Sequence, residues 1–140
     1  MDKKEALKIV KKDCNKLENL PAQFKKDKEI VLEAVKKDGF AFIYADESLQ
    51  KDKKFILEVL KLDINAPRFA NENLRKDREI ILEGVKRWGI LFLEYASDNL
   101  KRDKNFISKA KKFSKNATLL RGDSKRYKSF FRYKLKMIDI

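Results

Sequence analysis

The sequence has 140 residues, of which 43% are hydrophobic and 41% charged, a balance that suits one compact domain with a modest core. Only 4 Gly and 2 Pro are present, which leaves little material for long loops and favours helices over disorder. The chain has no histidine, the commonest general base and metal ligand, and its single Cys14 excludes an intramolecular disulfide. We therefore expect neither an enzyme nor a cofactor or metal site.

The positive charge is concentrated at one end of the sequence. Residues 1–100 carry 21 basic and 19 acidic side chains, whereas residues 101–140 carry 14 basic and 3 acidic ones. No run of about 20 apolar residues occurs, and the first residues lead into an amphipathic segment instead of the apolar core of a signal peptide. We expect a cytoplasmic protein without a transmembrane segment.

The first element in chain order is a predicted N-terminal capping helix within residues 1–19. Asp2 and Glu5 have the spacing of a capping box, in which each side chain accepts a hydrogen bond from the backbone amide of the other. Apolar side chains follow at helical spacing and form one stripe: Leu7, Val10, Cys14 and Leu17. We interpret Cys14 as a core residue.

Residues 20–122 contain four copies of a unit of about 25 residues. The copies are marked by Asp27, Asp52, Asp77 and Asp103, which recur at an almost constant interval. Each aspartate precedes a run with apolar residues at helical spacing, a pattern typical of a helix N-cap. Alternate copies are more alike, so the sequence also repeats as a pair of about 51 residues.

Each unit is predicted to contain two helices. Gly39 and Gly89 are placed to end the first helix with a left-handed residue, and second helices are expected over residues 40–45 and 90–96. Trp88 is expected to pack on the next copy. Because one helix pair cannot bury its apolar face alone, the units should stack into an all-α, short helical-repeat solenoid of about four two-helix units, with capping helices at both ends.

The turn before each capped helix is rich in basic residues, and stacking would align them as a basic ridge. The residue directly before each aspartate represents the ridge: Lys26, Lys51, Lys76 and Arg102. It is a candidate track for phosphate or for an acidic partner. Acids such as Glu29 and Glu79 dilute its charge, however, and exposed turns often carry lysine without a binding role.

The last predicted element is a basic helix over residues 123–140. Aromatic residues alternate there with cations, and the cations proposed as binding residues are Lys125, Arg126, Lys128, Arg132, Lys134 and Lys136. Such a mixture suits phosphate contact with base stacking, and equally an anionic membrane surface. It is also compatible with a cap whose aromatic residues pack inward.

A family resemblance rests on the shared pattern of the copies. Leu-X-X-Asp and a basic residue are followed by Leu-Glu, a valine and lysine, and then by a glycine and Tyr-Ala, at Tyr44-Ala45 and Tyr95-Ala96. This pattern resembles the domain of unknown function 4116 family, which consists of tandem helical repeats. The resemblance covers about residues 20–120, although Ser108 and Lys109 replace Leu-Glu in the fourth copy. It implies the fold and no catalytic residues.

Two classes of function are consistent with these features. The favoured one is a non-catalytic interaction module whose solenoid surface binds another protein, without a small-molecule substrate. The alternative is a nucleic-acid-binding protein that uses the basic, aromatic-rich segment 101–140, with or without the basic ridge. No nucleophile paired with a base is visible in the sequence, which argues against an enzyme.

Overall fold

The structure is a computed structural model that describes residues 1–63 and 72–115. These residues form α-helices and 3-10 helices joined by short turns, and no β-strand occurs among them. The prediction of an all-α fold is confirmed for this part of the protein. The basic helix predicted over residues 123–140 lies outside the described residues, as does the end of the fourth copy.

The described α-helices alternate between long and short ones. In chain order they are α1 (Lys3–Lys12), α2 (Ala22–Lys25), α3 (Lys28–Lys37), α4 (Glu47–Gln50), α5 (Lys53–Val59), α6 (Glu72–Arg75), α7 (Arg78–Trp88), α8 (Asp98–Arg102) and α9 (Lys104–Lys115). The odd-numbered helices are the long ones. The 3-10 helices Cys14–Asn19, Gly39–Tyr44 and Ile90–Tyr95 follow α1, α3 and α7.

An aspartate begins each long helix, as predicted. The carboxylates of Asp27, Asp52, Asp77 and Asp103 accept a hydrogen bond from the backbone amide three residues further on, at 3.3, 3.2, 3.1 and 3.0 Å. These bonds satisfy amides that have no partner within the helix, which is why the helices begin at these residues.

The N-terminal segment is built in the same way as the copies that follow it. Asp2 and Glu5 form the predicted capping box, with hydrogen bonds of 2.9 and 2.8 Å. Asp2 precedes Asp27 by the same interval as Asp27 precedes Asp52, and α1 is followed by a 3-10 helix as α3 is. Residues 2–26 therefore contain the same order of helical segments as the first predicted copy.

Three helical segments, one more than predicted, lie between Asp27 and Asp52. The second helices expected over residues 40–45 and 90–96 are 3-10 helices, and a short α-helix follows each of them. Ala45 is extended, with ψ of 151°, and so ends the first of these 3-10 helices. Asp46 then caps α4 by accepting a hydrogen bond from the Ser48 amide at 3.0 Å.

The glycines after α3 and α7 have different roles. Gly89 has the predicted left-handed conformation, with φ of 87°. The prediction is wrong at Gly39, where φ is not positive. There the backbone amide donates a hydrogen bond to Asp63 Oδ2 at 3.1 Å, and a Cβ atom would overlap the Asp63 side chain. Glycine at position 39 thus permits a close approach to the second copy.

The core lies between the long helices, which contact one another in chain order: α1 with α3, α3 with α5, α5 with α7 and α7 with α9. On α7, Ile80 packs with buried residues of the preceding helices, whereas Ile81 and Val85 pack with those of the following ones. We call the third and seventh positions after each capping aspartate the backward face, and the fourth and eighth the forward face. Leu82, one position beyond Ile81, is only partly buried.

Candidate interaction surface

Ion pairs join the beginnings of successive long helices. The basic residue directly after each capping aspartate contacts the capping aspartate of the next copy. The pairs are Lys3–Asp27 at 3.0 Å, Lys28–Asp52 at 3.1 Å, Lys53–Asp77 at 2.9 Å and Arg78–Asp103 at 2.5 Å. We call these four pairs the aspartate ladder. Each of these aspartates both caps its own helix and binds a cation of the preceding copy.

The ladder changes the pKa values of its members. The hydrogen bond from Lys28, together with backbone amides, lowers the pKa of Asp52. Burial raises the pKa of Asp77, but the hydrogen bonds from Lys53 and from the backbone outweigh it, so that the pKa is lowered. The pKa of Lys53 is raised, first by Glu79 and then by Asp77. These pKa shifts keep Asp52, Asp77 and Lys53 charged near neutral pH.

Basic residues also join the opposite ends of the long helices. Lys37 Nζ donates a hydrogen bond to the backbone carbonyl of Lys12 at 3.2 Å, and Arg87 donates one to the carbonyl of Lys61 at 3.1 Å. Each cation thus binds the carboxyl-terminal end of the preceding long helix, where carbonyl groups lack partners and the helix dipole is negative. Part of the chain's excess of basic residues is therefore used to connect the copies.

The first two residues of the predicted ridge lie beside acids. Lys51 is exposed and forms an ion pair with Glu47 at 2.6 Å. Lys26 is exposed as well, and lies close enough to Asp46 to contribute, after the hydrogen bonds from Ser48, to lowering the pKa of that carboxylate. The positive charge of the ridge is locally neutralised at both positions.

The other two ridge residues line open grooves. Lys76 shares one groove with the acids Glu72 and Asp98. Arg102 lies in a second groove of about 370 Å³, between α8 and α9, which we call the cationic groove. Its lining residues are Lys101, Arg102, Lys104, Ile107, Ser108 and Lys111. No acidic residue of the described chain lines it, so the ridge is free of acids only at its last position.

Three large apolar side chains are exposed near one 3-10 helix. Phe40 and Ile43 are 43% and 51% exposed, and their spacing of three places them on the same face of Gly39–Tyr44. Leu62, 37% exposed, directly precedes Asp63, whose carboxylate binds the amide of Gly39 next to Phe40. We call Phe40, Ile43 and Leu62 the apolar patch. These residues were not singled out from the sequence.

The remaining predicted binding residues lie beyond the described part of the chain. They are Lys125, Arg126, Lys128, Arg132, Lys134 and Lys136. Within residues 1–63 and 72–115, no three Asp, Glu, Cys or His side chains come together as a metal site. None of the helices described there is long and apolar enough to cross a membrane.

Sequence patterns contained a signal for the ladder that was not recognised. A basic residue follows each capping aspartate, and the next capping aspartate comes one repeat length later, so the repeat itself pairs the two charges. Trp88 is buried in one cluster with Phe106 and Ala110 of the following copy, as predicted, and its indole N–H also donates to the carbonyl of Leu60 in the preceding copy at 2.6 Å. The periodicity of the sequence identified the copies, but it did not show whether a given side chain contacts the preceding or the following copy.

Comparison with protein families identifies the same family that the repeat pattern resembles. The model of the Domain of unknown function (DUF4116) matches residues 2–50 and 52–92, which is more than half of the chain. The match begins at Asp2 and thus includes the N-terminal segment as well as copies in the middle of the chain. No significant match was found among curated proteins or among solved structures. The chain therefore belongs to the DUF4116 family.

Proposed function

We propose that this protein is a non-catalytic helical-repeat module, a short solenoid whose surface binds another protein. The aspartate ladder is the observation that carries this proposal. The charged residues that recur from copy to copy, such as Lys28 and Asp52, are engaged in joining one copy to the next. The recurring charged residues thus stabilise the packing of the copies. Those in the described part of the chain do not form a nucleophile paired with a base.

The order of helix contacts supports the solenoid part of the proposal. Helices α3, α5 and α7 each contact the long helix before them and the one after them in the chain, which is the nearest-neighbour packing of repeat proteins. Proteins with this architecture present an extended surface whose shape is held by the stack. Binding then depends on residues that differ between copies.

The apolar patch supports a protein as the partner. Phe40, Ile43 and Leu62 expose large apolar side chains at residues that adjoin or lie near the contact between Gly39 and Asp63. Aromatic and aliphatic side chains of this kind form the buried centres of protein–protein interfaces. We infer that the patch contributes to partner binding.

Affinity capture from cells that express the native protein tests this proposal. The full chain, an Ile43→Asp variant and an Asn15→Asp control are used as baits, with and without nuclease. The control places the same charge on the corresponding 3-10 helix, Cys14–Asn19. We expect a protein that is retained after nuclease treatment by the full chain and the control, and lost by Ile43→Asp. Recovery of nucleic acid alone would contradict the proposal.

A second candidate is nucleic-acid binding through residues 101–140, which the 14 basic and 3 acidic side chains of that segment favour. Each phosphate contact contributes close to one unit to the slope of log K against log salt, so this function requires a slope of several units. A variant with Gln at the six C-terminal cations named above should lose most of that slope. An unchanged slope would instead assign the binding to the ridge.

A further inference from the structure

The cationic groove lies where the helical stack ends in the described chain. Lys101 and Arg102 belong to the end of α8, and Lys104 and Lys111 to α9, with Ile107 between the latter two. The four cations are exposed and Ile107 is partly buried. None of the four forms an ion pair with a described residue, in contrast to Lys28, Lys53 and Arg78 at the corresponding turns.

The groove is formed by the forward face of α9. In the three preceding copies, the eighth residue after the capping aspartate is apolar and at most 1% exposed: Val35, Leu60 and Val85. The corresponding residue of α9 is Lys111, which is exposed. The backward face of α9 is like those of α3, α5 and α7, because Phe106 and Ala110 are buried. The fourth copy thus presents a charged surface where the others pack against a following helix.

The rest of the chain after α9 supplies few acids that could neutralise this surface. Earlier cations of the ladder meet the capping aspartate of the next copy, whereas the positions at the corresponding distances after Lys104 are Lys128 and Ser129. Residues 116–140 contain seven basic and two acidic side chains. Since like charges repel, electrostatic complementarity favours an acidic occupant from another molecule.

The lining of the groove distinguishes between kinds of acidic occupant. Ile107 gives it an aliphatic floor, and none of the described residues that line it is aromatic. Single-stranded nucleic acid is normally held by stacking its bases on aromatic side chains, and the described lining offers none for such stacking. An aliphatic floor within a rim of cations instead matches the apolar centre and polar rim of a protein interface.

We propose that the cationic groove binds an acidic segment of a partner protein, in which carboxylates flank one aliphatic side chain. The carboxylates contact Lys101, Arg102, Lys104 and Lys111, and the aliphatic side chain rests on Ile107. The inference rests on the proposed function, since it names a site and a chemistry for the protein partner. It assigns individual binding roles to Lys101, Lys104 and Lys111, which the sequence analysis included only as part of the basic segment 101–140.

A synthetic peptide tests the groove directly. The probe is a labelled seven-residue peptide with a central leucine and three acidic residues on each side, and its binding to the full chain is measured by fluorescence anisotropy at about 50 mM salt, where screening is weak. Gln at Lys101, Arg102, Lys104 and Lys111 should weaken binding at least about tenfold, the combined effect expected of four exposed charge contacts. Circular dichroism verifies that the variant is folded.

The matched control carries Gln at four exposed lysines of the N-terminal segment, Lys4, Lys8, Lys12 and Lys16. It has the same net charge as the groove variant and should bind within about twofold of the unmodified chain. A peptide with glutamine in place of leucine should bind several-fold more weakly, and Ile107→Ser should abolish that difference. Equal weakening by both quadruple variants would overturn the proposal.

Three further outcomes distinguish failure of this inference from failure of the proposed function. If a single-stranded oligothymidylate of equal charge binds more tightly than the peptide and is lost in the groove variant, the groove is a phosphate site and the inference is wrong. If the natural protein partner is captured equally by the groove variant and the full chain, the inference fails while the proposed function stands. If no protein partner is captured at all, the proposed function fails.

Discussion

Helices α3 and α9 begin with the same aspartate cap but differ in what their sides contact. On α3 both faces are fully buried, at Ile30, Val31, Ala34 and Val35. On α9 the backward face is buried, whereas on the forward face Ile107 is partly buried and Lys111 is exposed. Among the described long helices, a face is therefore fully buried where another described long helix lies beside it.

Helix α1 shows the opposite pattern to α9. Its forward face is fully buried at Ala6 and Val10, while Glu5 on its backward face is exposed. An acid thus lies on the outer face of the first described helix and a cation on that of the last.

The largest expected effect comes from exchanging residues between a packed and an unpacked forward face. Val85→Lys should lower the free energy of unfolding by about 3–5 kcal/mol, because it buries an unpaired charge at a fully buried position. Lys111→Val, at the corresponding exposed position of α9, should change it by less than about 0.5 kcal/mol. Urea unfolding followed by circular dichroism measures both. Similar effects of the two substitutions would refute the distinction between the faces.

An intermediate effect is expected from removing a ladder aspartate. Asp77→Ala loses the cap of α7 and should cost about 1–2 kcal/mol. Asp77→Asn keeps an acceptor for the Ile80 amide but loses the charge that binds Lys53, so it should cost about 0.5 kcal/mol or less. Thermal unfolding at low salt ranks the variants. Asp2→Asn is the control, since no preceding copy pairs with Asp2 in the described chain. An equal loss of stability in Asp2→Asn and Asp77→Asn would show that the ladder ion pair does not stabilise the fold.

The smallest expected effect is the dependence of stability on pH. The pKa of Asp52 is lowered below its ordinary value of 3.8, first by the hydrogen bond from Lys28. The charged carboxylate therefore contributes its full stabilisation of the fold above pH 3.8. This stabilisation is lost as the pH falls through the lower pKa of the folded state. Asp52→Asn should therefore lose less stability than the unmodified chain between about pH 4 and 2, by a few tenths of a kcal/mol. Urea midpoints across this range provide the measurement, and identical pH profiles would contradict the ladder's electrostatic role.

Much of the fold was predictable because its signals are local. A capping aspartate and the amide it binds are three residues apart, so Asp27 and Asp77 identify helix starts without any knowledge of neighbours. The 3-10 helices were missed as a type, since six-residue segments such as Gly39–Tyr44 have no distinctive periodicity. The sequence predicted Lys51 and Arg102 as equivalent residues of the ridge. In the structure Lys51 is paired with Glu47, whereas Arg102 lies in a groove without a described acidic residue.

The sequence by itself determined the spacing of the caps, the apolar stripes and the uneven distribution of charge, because each of these is a property of residues close together in the chain. Only the tertiary structure decided which cation meets which aspartate, why Gly39 must be glycine, and which face of each helix is buried. These features join residues that lie a full repeat apart in the chain, and they depend on how one helix is set against the next. Lys28 and Lys104 both directly follow a capping aspartate, yet only the packing of successive copies engages the first in the ladder and leaves the second in the groove.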